Sequence, residues 1–319
     1  MSRSIIKKAR LRSCMTQVGV AEAMGVSQPT YQRWESGAAN VPKGKLSNLA
    51  KVLGVTVHQL SGKPEPFDLF GIDKNIADDR TYYGEVAIHF RSGSAPLLLP
   101  VSEAERSALL TTLQGRETFV EVSSLDNRTV YVRREAIADV FFSSEAYDDY
   151  GPDVYGDQHL GIHPDDSFWT IVEHYDCPEC LDGEFTDQEI EEARARFSLT
   201  EHQLDELVED GHIPADKREV ATEDARAETD RFLQRARCVC WQLPEQRVRY
   251  ASVDESKDLY ETFCMLNLSE SDEFLYLAPE GYHRSLFINL ATIDYIAVPT
   301  HKFREGEIES HAEELGETT

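Results

Sequence analysis

From Met15 to Gly37 apolar side chains recur at helical spacing in two short runs that a glycine separates. In the first run Val20 and Met24 stand one turn apart beside the small Ala21, and Thr16 supplies an N-cap. Gly25 ends it, because glycine takes the left-handed conformation that a three-residue turn needs. Val26 plugs the turn, and Ser27 offers a second cap ahead of Gln28 and Pro29. In the second run Tyr31 and Trp34, three apart, face inward, which turns Gln28, Pro29, Gln32 and Arg33 outward. Three more helices flank this pair. One runs from Ser4 to about Ser13 and buries Ile6 and Ala9. Another follows Pro42, with Leu46, Leu49, Ala50 and Leu53 at i, i+3, i+4, i+7, and stops at Gly54. Thr56 caps a short fifth helix ending near Leu60, so residues 1–61 read as an all-α head.

Residues 62–81 carry Pro64 and Pro66 with no clear period and read as a linker, whose Phe67, Leu69 and Phe70 are expected to pack on its own domain. Beyond it the period switches from 3.6 to 2. Residues 82–147 give alternation at Val86, Ile88 and Phe90, then Leu97 to Leu99. A helix follows, opened by Ser102 with Glu105 as a capping box, then a hairpin from Phe119 to Val132 turning at Asp126 and Asn127. Ile137 and Val140 close the segment. Residues 236–300 repeat the order: Val239, Trp241 and Leu243 alternate, a strand covers Val248 to Tyr250, and Asp254 opens a helix. A hairpin from Phe274 to Ile288 turns at Glu280 and Gly281, and Ile293 and Ile296 close it. FVEV from Phe119 answers FLYL from Phe274, and IADV from Ile137 answers IDYI from Ile293, at an offset of 155 or 156 residues. An internal duplication is expected. Between the copies, 148–235 reads as inserted helices over Asp166–Tyr175, Thr186–Phe197, Thr200–Glu209 and Ala221–Arg235. After Thr300 the tail, 301–319, is polar and expected to be mobile. The fold class is therefore multidomain: an all-α five-helix helix-turn-helix head and a duplicated α+β body of strand-strand-helix-hairpin repeats, with an acidic helical insertion.

Charge separates head from body. Residues 1–63 hold ten Lys or Arg against Glu22 and Glu35, a net +8, while the remainder holds 22 basic against 56 acidic residues, a net −34. A basic head suits a polyanion, and an acidic body is repelled by one. The insertion alone carries 26 acidic and seven basic residues, read as solvated helix faces or as a surface that masks the head. Six cysteines without a disulfide ladder suit a reducing compartment, so a cytoplasmic location is expected. No stretch approaches the 18 or so apolar residues of a span, and no membrane partner is expected.

Several residues of the head resemble, in register, the Cro and phage-repressor type of helix-turn-helix protein, the xenobiotic-response-element family, over about residues 4–61. They are Arg10, the TQ of Thr16 and Gln17, Ala21, the GVSQ from Gly25, the WESG from Trp34, and LSNLAKVLGV from Leu46. The resemblance implies an Arg10–Glu35 ion pair tying the first helix to the third. It also implies that Gln17 clamps a phosphate and braces Gln28. A glutamine there reads adenine through its amide, and Arg33 suits a bidentate contact to guanine. Lys43 and Lys45, with Lys7, suit phosphates. The expected DNA-binding set is Gln17, Gln28, Pro29, Thr30, Gln32, Arg33, Lys43 and Lys45. Two departures stand out: Gly19 inside the second helix costs about 1 kcal/mol relative to Ala, and Pro29 removes a backbone donor. The expected function is a sequence-specific transcriptional regulator, a repressor, binding a twofold operator on double-stranded DNA as a homodimer. Its body would sense a small ligand, dimerise or bind a partner. An antitoxin-like protein that neutralises a second protein and autoregulates through its head is the alternative.

Chemistry elsewhere is sparse. HYDCPEC places His174, Cys177 and Cys180 at metal-compatible spacing, with His159 and His163 upstream. Zinc wants four ligands and no second CxxC exists, so no metal is expected and the thiols read as reduced bystanders. Cys238 and Cys240, on the face of a strand opposite Trp241, read as small packed residues. Asp165 and Asp166 read as an acid-rich helix start. No GxSxG, phosphate loop, HExxH or GxGxxG after a strand occurs, so neither an enzyme nor a cofactor is expected.

Overall fold

The computed structural model describes residues 5–63, 65–144, 159–244, 247–266, 274–279, 281 and 284–317. Ser4, Pro64, Asp148 and Glu280, which carry the expected helix start, a linker proline, the insertion boundary and a hairpin turn, lie outside them. The chain divides into two compact units: 1–82 with 255–272 and 302–319, and 83–254 with 273–301.

In the first unit α1 (Ile5–Arg12), α2 (Gln17–Ala23), α3 (Gln28–Glu35), α4 (Lys43–Val52) and α5 (Val57–Leu60) form where the periodicity places them. The Thr16 hydroxyl accepts the Gly19 N–H at 3.0 Å, and Gly25 takes a φ of 61°. Ser27 stands at the cap position of α3 but spends its hydroxyl on Thr30, Oγ to Oγ1 at 2.8 Å, so the expected side-chain cap is not made. Thr56 and Gln59 form a reciprocal capping box. Ile6, Val20, Ala21, Tyr31, Trp34, Leu49 and Leu53 share one core. The linker differs from expectation: Leu69 and Phe70 are exposed and Phe67 is half-buried. Buried Asp68 explains this, because its carboxylate accepts the N–H groups of Phe70 (3.0 Å) and Asp73 (2.6 Å) and turns the intervening side chains outward.

The second unit opens with β1 (Tyr82–Phe90) and β2 (Leu97–Ser102), then α6 (Glu103–Thr112), β3 (Phe119–Ser124), β4 (Arg128–Arg133) and, after a 3-10 turn, β5 (Ile137–Ser143). Ser102 caps α6, but Glu105 reaches across to the Ser123 N–H (3.0 Å), so only half of the expected box exists. Four helices follow: α7 (Asp166–Glu173), α8 (Asp187–Arg194), α9 (Glu201–Glu209) and α10 (Arg218–Arg237). Side chains of Asp165, Thr186 and Thr200 cap the first three. Phe168, Trp169, Ile171, Val172, Phe197 and Phe232 form their core. α10 then runs directly into β6 (Cys238–Leu243), and β7 (Arg247–Ser252) follows. α11 (Ser256–Phe263) belongs to the first unit; Glu255, not Asp254, holds its cap position, with no side-chain bond. β8 (Phe274–Leu277), β9 (Leu286–Asn289), another 3-10 turn and β10 (Tyr295–Pro299) complete the strands.

The order strand, strand, helix, hairpin, 3-10 turn, strand thus occurs twice, with matching registers. Val140 pairs Ile88 as Ile296 pairs Trp241, and Tyr131 pairs Glu121 as Phe287 pairs Tyr276. Sheet order is not symmetric. β10 inserts between β4 and β6 to give β3-β4-β10-β6-β7, whereas β5 pairs β1 in the sheet β2-β1-β5, and β8-β9 form a sheet of two. Val86, Ile88, Leu97 and Leu99 pack on Val120, Val122, Val130 and Val132 in one core.

The tail after Thr300 is a helix, α12 (Thr300–Glu314), where mobility was expected. Its apolar stripe is sparse. Ile308, Ala312 and Leu315, at i, i+4, i+7, pack on Leu11 of α1, which is 1% exposed. Phe303 and His311 meet Tyr260 of α11, and Lys257 pairs with Glu313. Gly306 lets the two helices approach, since any Cβ there would fall inside contact distance of the Ser256 carbonyl oxygen. No helix among the described residues is long and apolar enough to cross a membrane.

Candidate nucleic-acid interface

The α2-turn-α3 element is held from behind by a buried cation. Arg10 is fully buried and donates from Nη2 and Nε to Glu35 at 2.9 and 3.2 Å, a bidentate geometry. Nη1 reaches the Met15 carbonyl (2.8 Å), just before the Thr16 cap, so one guanidinium fixes the start of α2 and the end of α3 on α1. A third partner was not legible in the sequence. Glu317 accepts from Nη1 and Nη2 at 3.0 and 2.5 Å, carried there by α12 across 307 positions of chain. Burial works against the charge, but hydrogen bonds to Glu35 and Glu317 raise the Arg10 pKa above its ordinary value. Cys14 lies near the same acidic helix: burial, then Glu314 and Glu307, push its thiol up.

With Tyr31 and Trp34 buried, α3 presents Gln28, Pro29, Gln32 and Arg33 as exposed residues. Thr30 is half-buried and engaged with Ser27. Pro29 sits in the first turn, where a missing N–H breaks no helical bond. Gln17 opens α2 and is half-buried; Lys43 opens α4 and is exposed, with Lys45 half-buried after it. Among the described residues, the side chains of Gln17, Gln28, Gln32, Arg33, Lys43 and Lys45 make no hydrogen bond or ion pair. Gln17 therefore does not brace Gln28 as the resemblance implies, and both amides keep their donors and acceptors open.

The metal-compatible residues do not converge. Cys177 and Cys180 are joined as a disulfide, contrary to the expectation of reduced thiols, and His174 Nδ1 bonds the Thr170 carbonyl. His159 Nδ1 accepts the Gly161 N–H while Nε2 meets Glu85 at 3.0 Å. His163 donates from Nε2 to the Leu160 carbonyl, accepts from Arg196 at Nδ1, and stacks on Phe168. Burial, then Arg196, lowers its pKa to about 4. No group of three or more His, Cys, Asp or Glu among the described residues is arranged to hold a metal ion. Cys238 and Cys240 share a face of β6, as expected; both are half-buried and border a cavity, Cys240 packs against the hydrophobic core of the body, and Trp241 is buried on the other face.

Residues 6–60 match the family model of helix-turn-helix domains. No curated protein and no solved structure matches the chain. The chain therefore carries a helix-turn-helix domain of the DNA-binding kind at residues 6–60, joined to an α+β region with several sheets.

Proposed function

We propose that the protein is a sequence-specific transcriptional repressor that reads a twofold operator as a homodimer, and that its body senses a small ligand. One observation carries the reading: on the basic head, Gln28, Gln32 and Arg33 of α3 are exposed, as is Lys43 at the start of α4, with none of these side chains engaged by another described residue. Gln28 and Arg33 read base edges, Pro29, Thr30 and Gln32 complete the contact face, and Gln17, Lys43 and Lys45 meet phosphates. One helix in the groove reads too few base pairs for useful discrimination, which favours two heads on half-sites about 34 Å apart. The doubled element order and matched registers favour a body built by duplication. Footprinting on the DNA flanking the protein's own gene tests the reading. A protected twofold site is expected, in which Gln28→Ala or Arg33→Ala costs about 1 to 3 kcal/mol at particular positions. Lys43→Ala should weaken all sequences alike and make the salt slope shallower by about 1. Purely non-specific binding by the folded chain would end the repressor reading.

A second reading, a partner-binding antitoxin-like protein, is favoured by the loop at Asp68, which holds Phe70 and Ile72 each 78% exposed. Stoichiometric co-purification of a second protein, lost in Phe70→Ser, would support it.

A further inference from the structure

Arginines gather around one cavity in the acidic body. It has a volume of about 380 Å³ and lies against a face of β6, β7 and β10, with α10 along its side. Cys240, Val248 and Ala297 supply an apolar part to a lining that is otherwise polar, with Asn127 and Gln242 beside them. Arg231, Gln234 and Arg235, at i, i+3, i+4 on α10, supply a polar wall.

Two of the guanidiniums at this wall are only partly engaged among the described residues. Asp126, fully buried, accepts from Ser124 Oγ (2.7 Å), from Arg128 Nε and Nη2 (3.1 and 2.8 Å), and from Arg235 Nη1. Arg231 pairs with Glu228. Arg128 is taken up by Asp126 and the Leu98 carbonyl, but Arg235 engages only through Nη1 and Arg231 only through Nη2 among the described residues. Each keeps an Nε–H and a second terminal nitrogen for an acceptor, and Gln234 keeps its amide.

We propose that this cavity binds a small organic anion, a carboxylate on an apolar body. The carboxylate is held by Arg231, Arg235 and Gln234, and the body lies over Cys240, Val248 and Ala297. The volume falls in the range of small-molecule sites, and a guanidinium fork selects a planar carboxylate over a neutral amide of the same shape. Site and fold are linked through Arg235. It holds Asp126, and the neighbouring Asn127 accepts the His301 N–H at 3.0 Å, fixing the first turn of α12. An anion that draws on Arg235 acts on that turn, which deepens the sensing reading above and rests on it only for its consequence at DNA.

Calorimetric titration of the full chain with benzoate and with its neutral twin benzamide tests the site. Benzoate should bind saturably, one per chain, and at least about tenfold more tightly than benzamide, the ratio that one charge-assisted bidentate contact supports. Arg231→Gln and Gln234→Glu, both at exposed positions outside the Asp126 pair, should weaken benzoate about fivefold or more and leave benzamide unchanged. Equal affinities, or no saturable benzoate binding up to about 10 mM, overturn the proposal, as does full benzoate affinity in both variants. Operator affinity measured with and without benzoate separates the two claims: binding without an effect at DNA upholds the site and removes only the sensing role.

Discussion

Each unit has a buried charge at its centre, and the two are opposite in sign. In the head Arg10 sits between Glu35 and Glu317; in the body Asp126 sits between Arg128 and Arg235. Both central groups are 0% exposed, and both take one partner from nearby chain and one carried from far along it by a helix, Glu317 after α12 and Arg235 on α10. The difference lies in the distant partner. Arg235 is 15% exposed and Glu317 27%, so the body's cluster is closed more tightly than the head's. A buried ion that loses its partner costs far more than a pair that water can replace, so stability should track this closure.

The largest effect is expected where the centre itself is removed. Asp126→Ala removes the carboxylate that Arg235 shares with Arg128, itself 3% exposed, and should cost the body about 3 to 5 kcal/mol. Arg10→Met leaves only Glu35 stranded, since Glu317 can rehydrate, and should cost the head less. Chemical denaturation of the two variants measures this order, and the reverse order would break the comparison.

Next comes the delivery of the distant partner. Gly306→Ala drives a Cβ into the Ser256 carbonyl, so α11 and α12 must separate, at about 1 to 3 kcal/mol. The cost should fall on the head's unfolding transition. An unchanged transition would mean that α12 does not need this approach to bring Glu317 to Arg10.

Glu105 is the control for what two cations do for a buried carboxyl. Burial pushes its pKa up to about 7, against one hydrogen bond from the Ser123 N–H, whereas Arg128 and Arg235 hold Asp126 well below the carboxylate range although it is fully buried. The signs are opposite. For Glu105, raised from 4.5, the stability contribution is full below that value and is lost as pH rises through about 7. For Asp126, lowered from 3.8, it is full above that value and is lost as pH falls. Glu105→Gln should therefore stabilise the body by about 1 to 2 kcal/mol at pH 8 and by little at pH 4. Equal gains at both pH values would assign the effect to packing.

The same contrast shows what the chain discloses without its structure. The Arg10–Glu35 pair was legible because both residues stand inside one short module whose flanking motifs agree in register. Glu317 was not, since a stripe of Ile308, Ala312 and Leu315 amid glutamates reads as a polar tail until Leu11 is seen to cover it. The Asp126–Asn127 turn was visible as local turn chemistry, and Asn127 does adopt a φ of 68°. Its partner Arg235 lies 109 residues on, at a distance where periodicity says helix but names no neighbour. Strand placement was subject to the same limit. The hairpin from Phe119 to Val132 located β4 and the closing Ile296 marked β10, yet nothing in either showed that β10 would lie between β4 and β6. At the interface, exposure of Gln28, Gln32 and Arg33 followed from burying Tyr31 and Trp34, whereas the Gln17–Gln28 brace, taken from resemblance alone, did not form.

The smallest effect is expected at Glu317, and it tests the contrast most finely. Glu317→Gln keeps an acceptor for Arg10 and removes only a charge that is 27% exposed, while Glu35, at 6%, continues to hold the guanidinium from the buried side. Water screens such a pair, so the head should lose about 0.5 to 1 kcal/mol. Salt should then separate the two clusters. Raising the salt to about 1 M shortens the Debye length to about 3 Å, which should remove most of the difference between Glu317→Gln and the unaltered head. The cost of Asp126→Ala should persist there, because ions do not reach a carboxylate with no exposed surface. If Glu317→Gln instead cost more than about 2 kcal/mol, undiminished by salt, it would exceed what a screened pair supplies. Glu317 would then close the head as firmly as Arg235 closes the body, and the two centres would differ in sign alone.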